Sequence, residues 1–274
     1  MLWRIPLARF LRWPLLSLFS RVLGIDLAEA ERPLRDYRSV HDFFVRRLKP
    51  DARPMPPDAD AVCCPADGRI VEIGQATAGK VMNVKGMGFA LSDLLANNEA
   101  AQFLEGGPYL IVHLSPGDYH RVHAPVRGHV VAWHHVPGRL FSVNKANLRR
   151  EPGLFARNER LVTIVHGDSV GPCACVLVAA FGVGDITLSC DAEVRTHARR
   201  FSDGSVRAKR FSSPPHVHKG EELGIFHLGS TVIVVFAPGQ VELTPLRPGT
   251  RAKVGQVIGR VAGCLPEQVP FSTQ

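Results

Sequence analysis

From residue 61 onward the apolar residues come in short runs, and this spacing constrains the fold more than any other feature. Runs at 69–73, 109–114, 129–133, 160–165, 176–181 and 231–236 are too short for core helices and are separated by glycine and proline. That pattern predicts the strands of an all-β sandwich or barrel. Within it, 91–104 (LSDLLANNEAAQFL) reads as a short helix. Upstream, 34–48 (LRDYRSVHDFFVRRL) places Val40, Phe43, Phe44 and Leu48 at helical spacing, and the four prolines of 50–60 mark a linker. The expected organisation is α+β: a helical piece and linker over 1–60, then a β-rich piece over 61–274.

The first 24 residues, MLWRIPLARFLRWPLLSLFSRVLG, are apolar but broken by arginine. The uncharged run between Arg12 and Arg21 has eight residues, far short of the roughly 20 that span a bilayer. Arginines also interrupt any signal-peptide core. Pro6 and Pro14 divide the segment into two expected amphipathic helices. Ser17, Ser20, Arg21 and Gly24 share one helical face, and Leu15, Leu16, Leu18, Phe19, Val22 and Leu23 fill the rest. Four arginines with no acid beside Trp and Leu suit contact with an anionic membrane surface; packing on the protein's own core is the other reading.

Charge points the same way. The chain of 274 residues has net charge +8, and residues 1–50 hold ten Lys/Arg against five Asp/Glu. Such a balance favours anionic partners, but with three Trp, three Tyr and no recognition motif, nucleic acid is not expected among them. The six cysteines, Cys63, Cys64, Cys173, Cys175, Cys190 and Cys264, lack zinc-site spacing. Buried thiols in a reducing compartment are expected, with no metal.

A faint repeat runs through the β-rich piece. Pro65-Ala66-Asp67-Gly68-Arg69-Ile70-Val71 echoes Pro125-Val126-Arg127-Gly128-His129-Val130-Val131. The tail at 248–261 (PGTRAKVGQVIGRV) has the texture of lipoyl-like β-sandwiches, and a hybrid sandwich of that type is the expected fold.

Three short motifs carry chemistry: Pro65-Ala66-Asp67-Gly68, His120-Arg121-Val122-His123-Ala124-Pro125 and Leu228-Gly229-Ser230-Thr231. In order they offer an acid, an imidazole and a hydroxyl, the set that activates a serine. Taken singly, each has a plainer explanation. Asp67 suits a turn before Gly68, His120 and His123 suit a strand, and Gly229-Ser230 suits the entry to the run 231–236. On a strand, residues three apart face opposite sides, which argues against a metal shared by the two histidines.

Together with their flanks the motifs resemble the long proenzyme form of the phosphatidylserine decarboxylase family. The matching stretches are SVHDFFVRRLKPDARP (39–54), PADG (65–68), HLSPGDYHRVHAPV (113–126), VPGRLFSVN (136–144), LFARNER (154–160), KGEELGIFHLGSTVIVVFAPG (219–239) and VGQVIG (254–259). The resemblance implies self-cleavage between Gly229 and Ser230 into chains 1–229 and 230–274 that stay associated, with Ser230 becoming a pyruvoyl group. Asp67 and His123 match the residues that activate the serine, and His120 matches the histidine of the decarboxylation step. The group would form a Schiff base with the amine of phosphatidylserine, lose CO2 and yield phosphatidylethanolamine, with no metal or external cofactor. Either His120 or His123 would return the proton. Ser142 and Asn144 are candidate donors to the phosphodiester. A homodimer, peripheral on the cytoplasmic face of the bacterial inner membrane, is also implied. Cys63-Cys64 departs from the family's more usual Met or Ser ahead of PADG.

The same residues admit two other readings. A serine hydrolase could use Asp67, His123 and Ser230 on an external ester, although it lacks a GxSxG elbow. A non-catalytic lipoyl-like membrane-surface module would need a modifiable lysine in a tight hairpin. Lys80 and Lys85 in GKVMNVKG lack the usual flanks.

Overall fold

The computed structural model describes residues 2–77, 88–143, 145–180, 185–196, 204–227 and 230–263. Its centre is a nine-stranded antiparallel sheet. Numbered along the chain, the strands are β1 (Ala61–Cys63), β2 (Gly68–Gln75), β3 (Pro108–His113), β4 (Arg121–His123), β5 (Gly128–Val136), β6 (Arg160–Gly167), β7 (Gly171–Ala179), β8 (Ile186–Leu188), β9 (Arg207–Arg210), β10 (His216–Val217), β11 (Glu222–Phe226), β12 (Ser230–Phe236), β13 (Val241–Leu243), β14 (Arg251–Ala252) and β15 (Val257–Val261). The large sheet runs β10-β5-β6-β7-β12-β3-β2-β14, with β9 also on β5. Two three-stranded sheets, β1-β15-β13 and β4-β11-β8, lie outside it.

The continuous apolar runs of the central strands arise because both faces are covered. On β12, Val232, Val234 and Phe236 join a core with Val62, Val122, Leu188 and Ile258 from the two small sheets. Ile233 and Val235 join the opposite core with Leu94, Leu104, Leu154 and Phe155 from the helices α3 (Leu91–Leu95), α4 (Asn98–Leu104) and α6 (Leu154–Arg157). The architecture is therefore helices, large sheet and two small sheets, in layers.

The faint repeat has a structural counterpart. The order β10-β5-β6-β7 mirrors β14-β2-β3-β12, and both β2 and β5 carry a register shift at the same offset from their first glycine, between Ile70 and Glu72 and between Val130 and Ala132. The two glycines are also alike. A Cβ on Gly68 would lie 2.3 Å from the His113 carbonyl oxygen, and one on Gly128 would lie 2.2 Å from that of His166. Each glycine is needed for the close approach of the neighbouring strand.

The helical expectations change in detail. The N-terminal segment forms one helix, α1 (Arg9–Leu23), with Pro14 inside it, preceded by a 3-10 turn at Leu2–Arg4. Gly24 closes α1 in the left-handed conformation, φ 67°. The predicted helix over 34–48 shrinks to a 3-10 turn at Leu34–Asp36 and α2 (Val40–Phe44), capped by the Ser39 hydroxyl. It ends early because the Arg121 guanidinium takes the Val45 carbonyl, with Nε at 3.1 Å and Nη2 at 2.9 Å. The predicted helix over 91–104 breaks at Ala96, φ 48°, and Asn97 caps the second piece. Leu16 of α1 packs with Ile25, Leu34, Tyr37 and Phe43 in a separate small core. No helix among the described residues is long and apolar enough to cross a membrane. Cys63, Cys64, Cys173 and Cys175 are buried free thiols and Cys190 is a half-buried one; Cys264, Lys80 and Lys85 lie outside the described residues.

Because the Gly128 backbone touches the neighbouring strand, Gly128→Ala should cost about 1–3 kcal/mol, as overpacking does. A urea unfolding midpoint equal to the parent's would contradict this close approach.

Candidate active site

The first two motifs are joined by backbone. The His123 N–H donates to the Pro65 carbonyl at 2.8 Å, and the Cys63 N–H donates to that of Pro125 at 2.9 Å. The third motif enters through β12. Thr231 pairs with His113 of β3, which pairs in turn with Arg69 of β2. One residue further along this row fall Ser230 and Gly68, two strand spacings or roughly 10 Å apart. The backbone of Ser230 pairs with Ala179 of β7, while Leu228 and Gly229 lie outside the described residues.

Asp67 is buried in the bend ahead of β2. Its Oδ1 accepts from the Val254 N–H at 2.9 Å and from Arg53 Nε at 2.9 Å, and Arg53 Nη2 bonds its Oδ2. Arg53 Nη2 also reaches Glu29 Oε2 at 2.8 Å, and Lys253 Nζ holds Glu29 Oε1 at 2.9 Å. The result is a chain of alternating charge, Asp67–Arg53–Glu29–Lys253. The Arg53 bond, opposed by burial, brings the Glu29 carboxyl down to about 2.

His120 is completely buried, with the Phe44 ring 4.0 Å from its own, centre to centre. Its Nδ1–H donates to the Asp118 carbonyl at 2.8 Å, so Nε2 carries the lone pair. That buried Nε2 has no hydrogen-bond partner among the described residues. Burial pushes the imidazole down to about 3, so it is neutral. The His120 carbonyl accepts from the Phe226 N–H at 2.9 Å, four residues before Ser230.

His123, half-buried at the end of β4, donates from Nδ1 to the Gly220 carbonyl at 2.8 Å, and its Nε2 accepts from the Tyr119 hydroxyl at 3.1 Å. Burial holds it below the ordinary histidine value, opposed by the Gly220 bond and by the charges of Glu222 and Asp67. Asp67 and His123 thus share a backbone connection and an electrostatic field, and each is hydrogen-bonded to other groups.

Ser142 is half-buried on the loop between β5 and α5 (Lys145–Arg150), and its carbonyl accepts from Asn147 Nδ2 at 2.9 Å. Asn144 lies outside the described residues. The loop is held by Asn158, fully buried, whose amide bonds Phe141 N and O at 3.0 and 2.9 Å and the Ala179 carbonyl at 2.8 Å. Since Ala179 faces Ser230, Asn158 ties this loop to the strand entry.

Arg53, Tyr119, His113 and Asn158 are the site residues that motif reading passed over. His113 Nδ1 lies 3.2 Å from Thr231 Oγ1. All four fall inside stretches noted above, in DARP, HLSPGDYH and LFARNER, but a charge or ring in a motif does not reveal its spatial partner.

The family model described as phosphatidylserine decarboxylase matches residues 40–260. Relatives named phosphatidylserine decarboxylase proenzyme include one from Anaeromyxobacter sp. (strain K), 40% identical over 95% of this chain and 90% of its own. Others come from Bordetella pertussis, 43% identical over 88% of this chain and 80% of its own, and Brevibacillus brevis, 38% identical over 85% and 83%.

The depressed Glu29 carboxyl makes a contribution to stability that is present above about pH 4.5 and lost as pH falls toward about 2. Glu29→Gln should therefore be less stable than the parent near neutrality, and the gap in urea midpoint should close across that window. A gap independent of pH would remove the ion pair as its cause.

Proposed function

The chain belongs to the phosphatidylserine decarboxylase family and is a carboxy-lyase, and from that premise we propose that it cuts itself between Gly229 and Ser230 and turns Ser230 into a pyruvoyl group. With that group it decarboxylates phosphatidylserine to phosphatidylethanolamine in phospholipid biosynthesis. The observation that carries this reading is the meeting of three strand ends: Pro65 with His123, His120 with Phe226, and the first residues of β12 beside His113. The word proenzyme in the relatives' names also supports processing into two chains.

His123 is the base. Its Nδ1–H is committed to Gly220, so Nε2 takes the Ser230 hydroxyl proton once the Tyr119 hydroxyl gives way. The charges of Glu222 and Asp67 favour the imidazolium that forms, and Arg121 opposes it. The Ser230 oxygen attacks the Gly229 carbonyl and the amide becomes an ester. β-Elimination then frees a chain ending at Gly229, and the dehydroalanine left at 230 hydrolyses with loss of ammonia.

The pyruvoyl carbonyl supplies the electron sink for loss of CO2. The residues fit such a group, because His120 Nε2 is a buried lone pair with no partner among the described residues, close in the chain pairing to the start of β12. His120 is thus the better candidate to hold the proton and return it to the substrate carbon. A bound phospholipid's negative charge raises its proton affinity against the burial that lowers it. Ser142, on the loop tied by Asn158, offers a donor to the phosphodiester, with Asn144 beside it in sequence.

The membrane-facing part of the 1–60 piece is α1. Phe10 is 79% exposed, Trp13 64% and Val22 74%, and Leu11, Leu15 and Leu18 are also exposed. An apolar arc pointing away from the protein, beside Arg9, Arg12 and Arg21, suits peripheral binding to an anionic bilayer on the cytoplasmic face of the bacterial inner membrane.

Purified protein should run as fragments of about 25 and 5 kDa, divided by length from 30.0 kDa. Ser230→Ala and His123→Ala should stay whole and make no phosphatidylethanolamine. An intact chain with an unmodified Ser230 and full activity would defeat the reading and favour a hydrolase-like use of the same residues. Trp13→Glu with Phe10→Glu should weaken sedimentation with phosphatidylglycerol vesicles roughly tenfold or more, by removing buried apolar area, while fragments still form. Unchanged sedimentation would remove α1 as the membrane contact.

A further inference from the structure

The helical layer formed by the N-terminal residues meets the rest of the protein at a polar seam that this chemistry does not use. His41 on α2 stacks on His227, the residue after β11, with ring centres 5.2 Å apart and planes 8° from parallel. His41 Nε2 lies 3.1 Å from His227 Nδ1, and His227 Nε2 lies 3.1 Å from Thr187 Oγ1 on β8. The His227 N–H donates to the Asp185 carbonyl at 2.9 Å. The Asp185 carboxylate accepts from Arg195 Nε and Nη2 at 2.9 and 2.7 Å and is bonded by Arg4. Arg4 and His41 both come from the N-terminal layer; Asp185, Thr187, Arg195 and His227 belong to the body.

His227 is two residues before Gly229. On the far side of the scissile bond, Ser230 is already held in the ladder of β12. Between these two anchors only Leu228 and Gly229 remain. Three Cα–Cα steps cover at most about 11 Å, so fixing His227 sharply narrows the conformations open to the bond that must be attacked. Effective attack depends on such pre-positioning, and small displacements cost large factors in rate.

We propose that His41 is a positioning residue for self-cleavage, acting through His227 to hold the chain that leads into the Gly229–Ser230 bond. The proposal rests on the self-cleavage reading above. Both rings are neutral, since burial lowers both, His227 to about 4, and the charges of Arg4 and Arg195 oppose protonation further while Asp185 favours it. Neutral rings let the network run as a single relay in either sense: His41 Nε2–H to His227 Nδ1 with His227 Nε2–H to the Thr187 hydroxyl, or the Thr187 hydroxyl to His227 Nε2 with His227 Nδ1–H to His41 Nε2. The N-terminal layer therefore has a second task beside membrane contact, and truncating it would slow maturation as well as release the protein from vesicles.

The test follows precursor conversion in cell-free synthesis, read as precursor half-life on denaturing gels, with thermal midpoints compared in the Ser230→Ala background. His41→Ala should slow conversion roughly three- to tenfold, the range of one net hydrogen bond, with a midpoint close to the parent's. His41→Gln, whose amide offers His227 Nδ1 either a donor or an acceptor, should recover most of the rate. His227→Ala should slow conversion similarly, and the double variant should be no slower than His227→Ala alone. Conversion of His41→Ala at the parent rate, or slowing that multiplies in the double variant, overturns the proposal. If His41→Ala proves too unstable to compare, Thr187→Val at the other end of the network decides instead: slowed conversion supports the proposal and the parent rate overturns it. A parent chain that yields no fragments, like Ser230→Ala, would sink the self-cleavage reading itself.

Discussion

The strand that begins at Ser230 is buried on both faces and paired along both edges, and the rest of the site is arranged around that fact. Seven residues of β12 pair with β7 and five of them also pair with β3. A segment held by two ladders and two hydrophobic cores does not need a covalent link on its N-terminal side to stay in place. Breaking the chain just before it would leave the core as it was, since the side chains from Val232 to Phe236 keep their partners. On the proposed chemistry, this explains how a protein can cut its own backbone at the edge of its core and remain one body.

The electrostatics divide between two regions. Around Asp67, charge is conserved as a chain of opposite signs through Arg53, Glu29 and Lys253, linking the N-terminal piece, the PADG bend and the loop before β15. At the histidines burial favours the neutral ring, with the His120 Nε2 lone pair unpartnered among the described residues and that of His123 accepting from Tyr119. A neutral imidazole close to a carboxylate, but not bonded to it, can accept a proton and still gain from the nearby negative charge as it does so. Arg53 engages both Asp67 oxygens, while His123 is hydrogen-bonded to Gly220 and Tyr119.

Much of the strand layout is legible in the chain because alternation and double-sided burial leave a direct mark on hydropathy. Each of the six apolar runs overlaps a strand of the large sheet, and the PxxG echo marks the matching starts of β2 and β5. Helix ends were harder, because they were decided by partners distant in sequence. Arg121 takes the carbonyl that would have continued α2, and one helix runs through Pro14, packed by Leu16 on Ile25, Leu34, Tyr37 and Phe43, where local rules predict two. The same limit applies to the site. The motifs identify Asp67, His120, His123 and Ser230 as residue types, whereas Arg53, Tyr119 and Asn158 become meaningful only through the atoms they touch.

The amino-acid sequence by itself determined the family, the strand-rich body and the basic, apolar N-terminal segment, and it offered Asp67, His120, His123 and Ser230 as candidates, because each is written in local pattern or in a motif. Only the tertiary structure decided which nitrogen of His120 and of His123 carries the lone pair, that Asp67 is held by Arg53, and that His41 meets His227, two residues before Gly229. These depend on groups up to 186 residues apart in the chain meeting at hydrogen-bond distance, and no local pattern encodes a contact of that range.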